Sequence, residues 1–172
     1  MSKRNAAPVC PECHVGARFT TGAEIYGRQS KFAEKGFWKC DGCGGYVGCH
    51  GSTRRPLGTP AGPELRKARH LLHEQMLDPL WMNADTLDAY DGREATDHRA
   101  RKMIQNRARS RVYAFLADAM GLPPELTHTG MFDLEQCRAA WRALRGVTYA
   151  TIRTWAKMRE DQNVIPFPKR KA

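Results

Sequence analysis

Four cysteines stand in two C-x-x-C pairs, Cys10-Pro11-Glu12-Cys13 and Cys40-Asp41-Gly42-Cys43. Two short turns that each present a pair of thiols can close a tetrahedron around one metal ion. Four thiolates at ~2.3 Å are the donor set of structural zinc. Such a site leaves no open position for water, so it reads as scaffold rather than as a Lewis acid. The same thiolates can hold iron in a rubredoxin-like site, but zinc is the simpler assignment. The expectation is one structural Zn2+ on Cys10, Cys13, Cys40 and Cys43. Cys49-His50 follows closely enough to form an alternative ligand pair. Cys49 is otherwise a small buried hydrophobe on a strand.

The two pairs divide the chain. Residues 1–8 read as disordered and residues 9–53 as a zinc ribbon. Ala17 to Tyr26, Phe37 to Cys40 and Tyr46 to Cys49 have strand-like composition. So few apolar residues cannot hold a ribbon together, and zinc supplies the missing folding free energy. Residues 54–63 hold three prolines and two glycines and read as a linker. Residues 64–160 read as a small all-helical domain. Its first helix carries Leu65, Ala68, Leu72 and Met76 and ends at Asp78-Pro79. An acidic loop is expected over 83–98, then a long helix from about Asp97 to Met120 with a stripe of Ile104, Ala108, Val112, Phe115, Leu116 and Ala119. Asp133 with Gln136 predicts a helix over Leu134 to Arg145 with Cys137, Trp141 and Leu144 on one face. Thr148 predicts the cap of a last helix with Ile152 and Trp155 inward. Residues 161–172 form a basic tail. The fold class is α+β, a ribbon of short antiparallel strands followed by helices.

Charge is unevenly distributed along the 172 residues. The net charge of +10 falls as +5 over 1–62, −4 over 63–98 and +9 over 99–172. A basic chain suits a polyanionic partner, and nucleic acid is the commonest. Residues 99–111 hold six cations and no acid: Arg99, Arg101, Lys102, Arg107, Arg109 and Arg111. On a helix, Arg101, Lys102, Arg109 and Gln105 can share one outward sector and meet a phosphate backbone. The rival reading is internal neutralisation by Asp85, Asp88, Asp91 and Asp97. Arg54 and Arg55, with the ribbon aromatics Phe37, Trp38 and Tyr46, form a second platform on which unpaired bases can stack. The same rings can instead replace the missing core of the ribbon. Lys169, Arg170 and Lys171 in the tail complete the expected nucleic-acid contacts.

No stretch is apolar enough to span a membrane, and no secretory segment follows the basic start, so a cytoplasmic location is expected. There is no Walker loop, dinucleotide fingerprint or nucleophile elbow. No small-molecule substrate is evident and no catalytic residue is assigned. His70, His73 and His128 with Cys137 lack metal-specific spacing, and Cys137 lies on an inferred inner face.

Several stretches together resemble the uncharacterised zinc-finger-containing domain family of bacteriophages and bacterial prophages. They are the paired knuckles with Phe37-Trp38-Lys39-Cys40, then Tyr46-Val47-Gly48-Cys49-His50 and Pro56-Leu57-Gly58. His73, Leu77-Asp78-Pro79-Leu80-Trp81 and Tyr113-Ala114-Phe115-Leu116-Ala117 running into Gly121 follow. His128-Thr129-Gly130-Met131-Phe132-Asp133 and Cys137 close the match over roughly 9–145. Residues 83–106 look like an insertion and 146–172 like an added tail. The resemblance implies zinc and a phage-like origin in a bacterial host cell, and it implies no activity. The expected function is non-catalytic: an accessory protein binding DNA or RNA. The alternative is an interaction module that docks on a host enzyme or defence complex. A metal-dependent nuclease using His50, His70, His73 or His128 ranks third.

Overall fold

A computed structural model of the chain describes residues 6–84 and 98–161. Asp85, Asp88, Asp91 and Asp97 of the stretch expected to be an acidic loop, and the tail cations Lys169, Arg170 and Lys171, lie outside the described residues. The chain divides into two compact units, one of residues up to His70 with His128–Leu134, the other of Leu71–Thr127 with the segment from Glu135. This differs from a division at a 54–63 linker.

The first unit is built on a three-stranded antiparallel sheet in the order β1 (Arg18–Thr21), β2 (Gly36–Lys39), β3 (Tyr46–Gly48). The register pairs Phe19 with Trp38 and Trp38 with Val47. The strand expected over Ala17 to Tyr26 stops at Thr21, and a short helix α1 (Gly22–Tyr26) takes over. Close approach explains the switch: a Cβ on Gly22 would lie 1.9 Å from the Phe32 carbonyl oxygen, so the chain turns back tightly here. Phe37 and Trp38 are buried. The opposed rings of Phe19 and Trp38 meet edge to face at 5.3 Å.

Residues 54–63 pack onto the ribbon rather than bridging two bodies. Tyr46 and Ala61 exchange two backbone hydrogen bonds, and Leu57 N–H donates to the Gly48 carbonyl. Pro60 and Ala61 are buried. Pro-rich composition marks where a chain leaves regular structure, not whether it packs. Gly58 meets Gly130 backbone to backbone: a Cβ on Gly58 would lie 2.0 Å from the Gly130 oxygen. Arg69 braces this junction from within. The residue is 8% exposed, and its guanidinium donates to the Phe132 carbonyl at 2.8 Å and to the carbonyl and hydroxyl of Thr59, each at 2.9 Å.

In the second unit the helix α2 (Pro63–Leu71), which starts in the first, continues as a π-helical turn over Leu72–Leu77 and then as α3 (Asp78–Met82). The expected stop at Asp78-Pro79 is therefore a correction. Asp78 N–H bonds to the His73 carbonyl, five residues back. Pro79 follows directly after the π turn, where it has no N–H to donate to the preceding turn.

Helix α4 (His98–Met120) buries Ile104, Ala108, Val112, Leu116 and Ala117 and packs against α3 and α6. Phe115, only half-buried, instead meets Trp155 edge to face at 5.4 Å. Ala119, expected in the stripe, is exposed. Helix α5 (Leu134–Leu144) follows Asp133 directly and buries Cys137, Ala140 and Leu144. Helix α6 (Tyr149–Asp161) starts as expected, with Thr148 Oγ1 accepting from the Thr151 N–H at 3.2 Å. Ile152 and Ala156 face inward. Trp155 is half-buried, its indole N–H donating to Asp118 at 3.0 Å.

Candidate metal centre

The two knuckles are geometric copies. In each, the first cysteine's N–H bonds to the carbonyl five residues on, Cys10 to Val15 at 2.9 Å and Cys40 to Gly45 at 2.8 Å. Its carbonyl accepts from the residue four on, His14 and Gly44, both at 2.9 Å. The residue after the second cysteine must then take positive φ, which is 55° at His14 and 73° at Gly44. Glycine suits that place and histidine is strained there. The two C-x-x-C sequences thus fold locally into turns that aim paired thiols, and the sheet sets the turns face to face.

All four sulfurs lie within 4.8 Å of one another, with Cys10 Sγ and Cys43 Sγ 3.6 Å apart. A tetrahedron with ~2.3 Å bonds has sulfur–sulfur edges of about 3.8 Å, so the set closes on zinc with little movement. Cys10 and Cys40 are fully buried, Cys13 is half-buried and Cys43 exposed. The Cys43 N–H holds the Cys40 thiol down to about 7 against the opposing effect of burial, with help from the Gly42 N–H. Backbone donors that favour thiolate are what a zinc ligand needs. The Gly45 N–H donates to Cys43 Sγ at 3.4 Å. At Gly42 a Cβ would approach Cys13 Sγ to 3.2 Å, so the turn leaves little room beside the sulfurs. The donor set fits one structural Zn2+.

Arg18 ties the second knuckle to the sheet. It pairs with Glu24 at 2.8 Å and with Asp41, inside the knuckle, at 3.0 Å. Lys39, opposite Arg18 across the sheet, also reaches Glu24 at 2.9 Å. Arg18, then Thr20 and Lys39, hold the Glu24 carboxyl well below the usual carboxylate range.

Cys49 is not part of the four-sulfur group. It bridges to Pro56, and its sulfur lies 3.7 Å from the position of a Cβ on Gly36. Burial pushes its thiol up. His50 shapes the next turn through its backbone, donating to the Arg55 carbonyl at 2.9 Å. Among the described residues the four cysteines are the one group with metal-binding geometry, so His70, His73, His128 and Cys137 build no second centre. His128 Nδ1 accepts from the Gly130 N–H at 3.2 Å, and Cys137 is core.

The expected nucleic-acid residues separate by exposure. Trp38 is 8% exposed, its indole N–H donating to the Arg54 carbonyl at 2.9 Å. It and Phe37 are core, a correction to their reading as a stacking platform: a ribbon this thin uses its largest rings to exclude water. Arg54 and Arg55 are exposed, and the Arg54 guanidinium stands 4.5 Å from the Phe19 ring. On α4, Arg99, Arg101, Lys102, Arg107 and Arg109 are exposed and Arg111 is half-buried, donating to the Tyr149 hydroxyl at 3.0 Å. Arg109 stands 5.6 Å from the Trp81 ring and 5.8 Å from that of Tyr113. Gln105 does not share the open sector, because it donates to the Met82 carbonyl at 2.7 Å.

Sequence reasoning missed a polar cluster whose members come from separate motifs. Asp78 meets His73 Nδ1 at 3.4 Å and accepts from the Trp81 indole at 3.1 Å, while His73 Nε2 lies 3.5 Å from the Tyr113 hydroxyl. The His73–Asp78 offset of five fits a π turn and no regular α-helix, so a 3.6-residue template could not have found it.

The model of a zinc-finger-containing domain family, DUF3268, matches residues 6–147. No curated protein and no solved structure matches the chain. No described helix is long and apolar enough to cross a membrane. With two matched knuckles, four converging sulfurs and a family match that runs through both units, this chain is a member of the zinc-finger-containing domain family.

Proposed function

We propose that this protein is a phage-type accessory protein that binds nucleic acid without catalysis, in the cytoplasm of a bacterial host. The zinc ribbon is the scaffold, and the basic face of α4 holds phosphates. One observation carries the reading: five of the six cations over 99–111 are exposed on a helix with no acid before Asp118. Arg99, Lys102 and Arg107 have no ion-pair partner among the described residues. Surface cations left open in this way displace the counterions condensed on a nucleic acid as they neutralise its phosphates, giving salt-sensitive and largely sequence-independent binding.

The test is fluorescence anisotropy with zinc-loaded protein and a 20-base-pair duplex across a salt series. Each phosphate contact adds about −0.9 to the slope of log K against log salt. The double variant Arg107→Glu/Arg109→Glu is expected to flatten that slope by about 2. Wild-type protein that fails to bind at 50 mM salt overturns the reading. In that case a host protein captured equally by wild type and variant would establish the docking alternative.

A further inference from the structure

We propose that the ribbon carries a separate site for unpaired bases, with Tyr26 as the stacking ring and Lys31, Lys35 and Arg66 as its phosphate-holding cations. The site rests on the nucleic-acid reading above and narrows the ligand on this unit to single-stranded nucleic acid.

Tyr26 closes α1 and sits at the centre of a ring cluster. Its centroid lies 5.6 Å from Phe32, 5.6 Å from Phe37 and 5.7 Å from Tyr46. Phe37 is buried, whereas Tyr26 is 45% exposed. The Tyr26 ring is therefore held by three neighbouring rings while the residue keeps a large exposed surface. A ring held rigid in this way loses little freedom when a base stacks on it.

Cations flank the cluster. Lys31 and Lys35 stand 5.2 Å and 5.3 Å from the Phe32 centroid, and the Arg66 guanidinium 3.8 Å from that of Tyr46. Arg66 is fixed by donating to the Ala61 carbonyl at 2.6 Å. The same unit shows what neutralised cations look like: Arg18 and Lys39 are tied to Glu24 and Asp41. Lys31 and Lys35 have no such partner among the described residues, although Glu34 lies between them in sequence. Open lysines on Phe32, the ring next to the exposed Tyr26, match both halves of a nucleotide, the π-face of the base and the phosphate. A duplex hides those faces in its own stack, so the site discriminates against it.

The experiment uses full-length zinc-loaded protein, fluorescein-labelled dT12 and a 20-base-pair duplex. Tyr26→Leu is expected to weaken dT12 binding about 5- to 150-fold (about 1–3 kcal/mol) with little change for duplex. Lys31→Glu/Lys35→Glu removes only exposed charges and is expected to flatten the dT12 salt slope by about 1.4. Should Tyr26→Leu fail to fold, photo-crosslinking of wild type to an oligonucleotide carrying 5-iodouracil is expected to label Tyr26 or Phe32. Wild-type dT12 affinity in both variants, or crosslinks confined to α4, overturns the site. Displacement of dT12 by poly-glutamate at equal charge also overturns it, in favour of an acidic protein partner. Loss of binding in the α4 variant alone removes this site and leaves the α4 reading standing. Loss in the Tyr26 variant alone does the reverse.

Discussion

Replacing Cys40 and Cys49 separately by serine tests which sulfurs hold zinc. Cys40 is one of four thiols that converge within 4.8 Å, while Cys49 packs against Gly36 outside the group. Structural zinc binds such modules with about 10–16 kcal/mol at neutral pH. Shared among four ligands, that is about 3 kcal/mol each, or roughly a hundredfold in affinity per ligand. Cys40→Ser should therefore lose zinc to a chelator at least a hundredfold more readily than wild type. The ribbon should unfold with it, because its short strands bury little besides Phe37 and Trp38. Cys49→Ser should keep one zinc per chain with nearly unchanged affinity. The readouts are zinc by atomic emission, competition with a metallochromic chelator, and circular dichroism. The pH dependence has a definite sign. Free thiols near 8.5 are protonated at pH 6, and zinc binding must release about four protons, so apparent affinity should rise by up to four decades per pH unit there. Equal zinc loss in the two variants, or a Cys40→Ser protein of wild-type affinity, would refute the assignment.

Three further outcomes follow from the packing. Arg69→Met leaves the carbonyls of Thr59 and Phe132 without their donor and should cost about 3 kcal/mol in urea unfolding; a loss below about 1 kcal/mol would make the brace incidental. Gly58→Ala drives a methyl group into the Gly130 carbonyl, breaks the 2.9 Å bond from Thr59 N–H to that oxygen, and should cost about 2–4 kcal/mol, measured in the same way. His14→Gly relieves a left-handed residue that costs about 1–2 kcal/mol but frees the unfolded chain; a net gain of about 0.5 kcal/mol is expected in chelator-resistant folding, and a loss would mean that the imidazole makes a needed contact.

The metal centre was legible because its information is local. Cys-x-x-Cys followed by a residue able to take positive φ specifies a knuckle within a few positions, and two such turns specify the tetrahedron. Thr148 likewise marked a helix start from chemistry confined to a turn. The misreadings came from longer-range choices. Whether Pro56–Pro63 hangs free or lies on the sheet depends on Gly48, Ala61 and Gly130, which sequence distance hides. Whether Trp38 faces water or Phe19 depends on the register of two strands. The chain switches from strand to helix at Gly22 because the Phe32 carbonyl crowds that position, and no local propensity encodes this.

The π-helical turn over 72–77 has a consequence for the length of the chain. Its backbone bond reaches from Asp78 to the His73 carbonyl, and their side chains meet at the same offset. Deleting one residue within the turn would restore an ordinary α-helix and cost the backbone little. It would also rotate everything beyond by ~100°, swinging the Asp78 carboxylate and the Trp81 indole away from His73. The extra residue is thus a spacer counted in whole amino acids. A substitution at the exposed Gln75 can be absorbed in this stretch, but a change in its length cannot be made without dismantling the polar cluster.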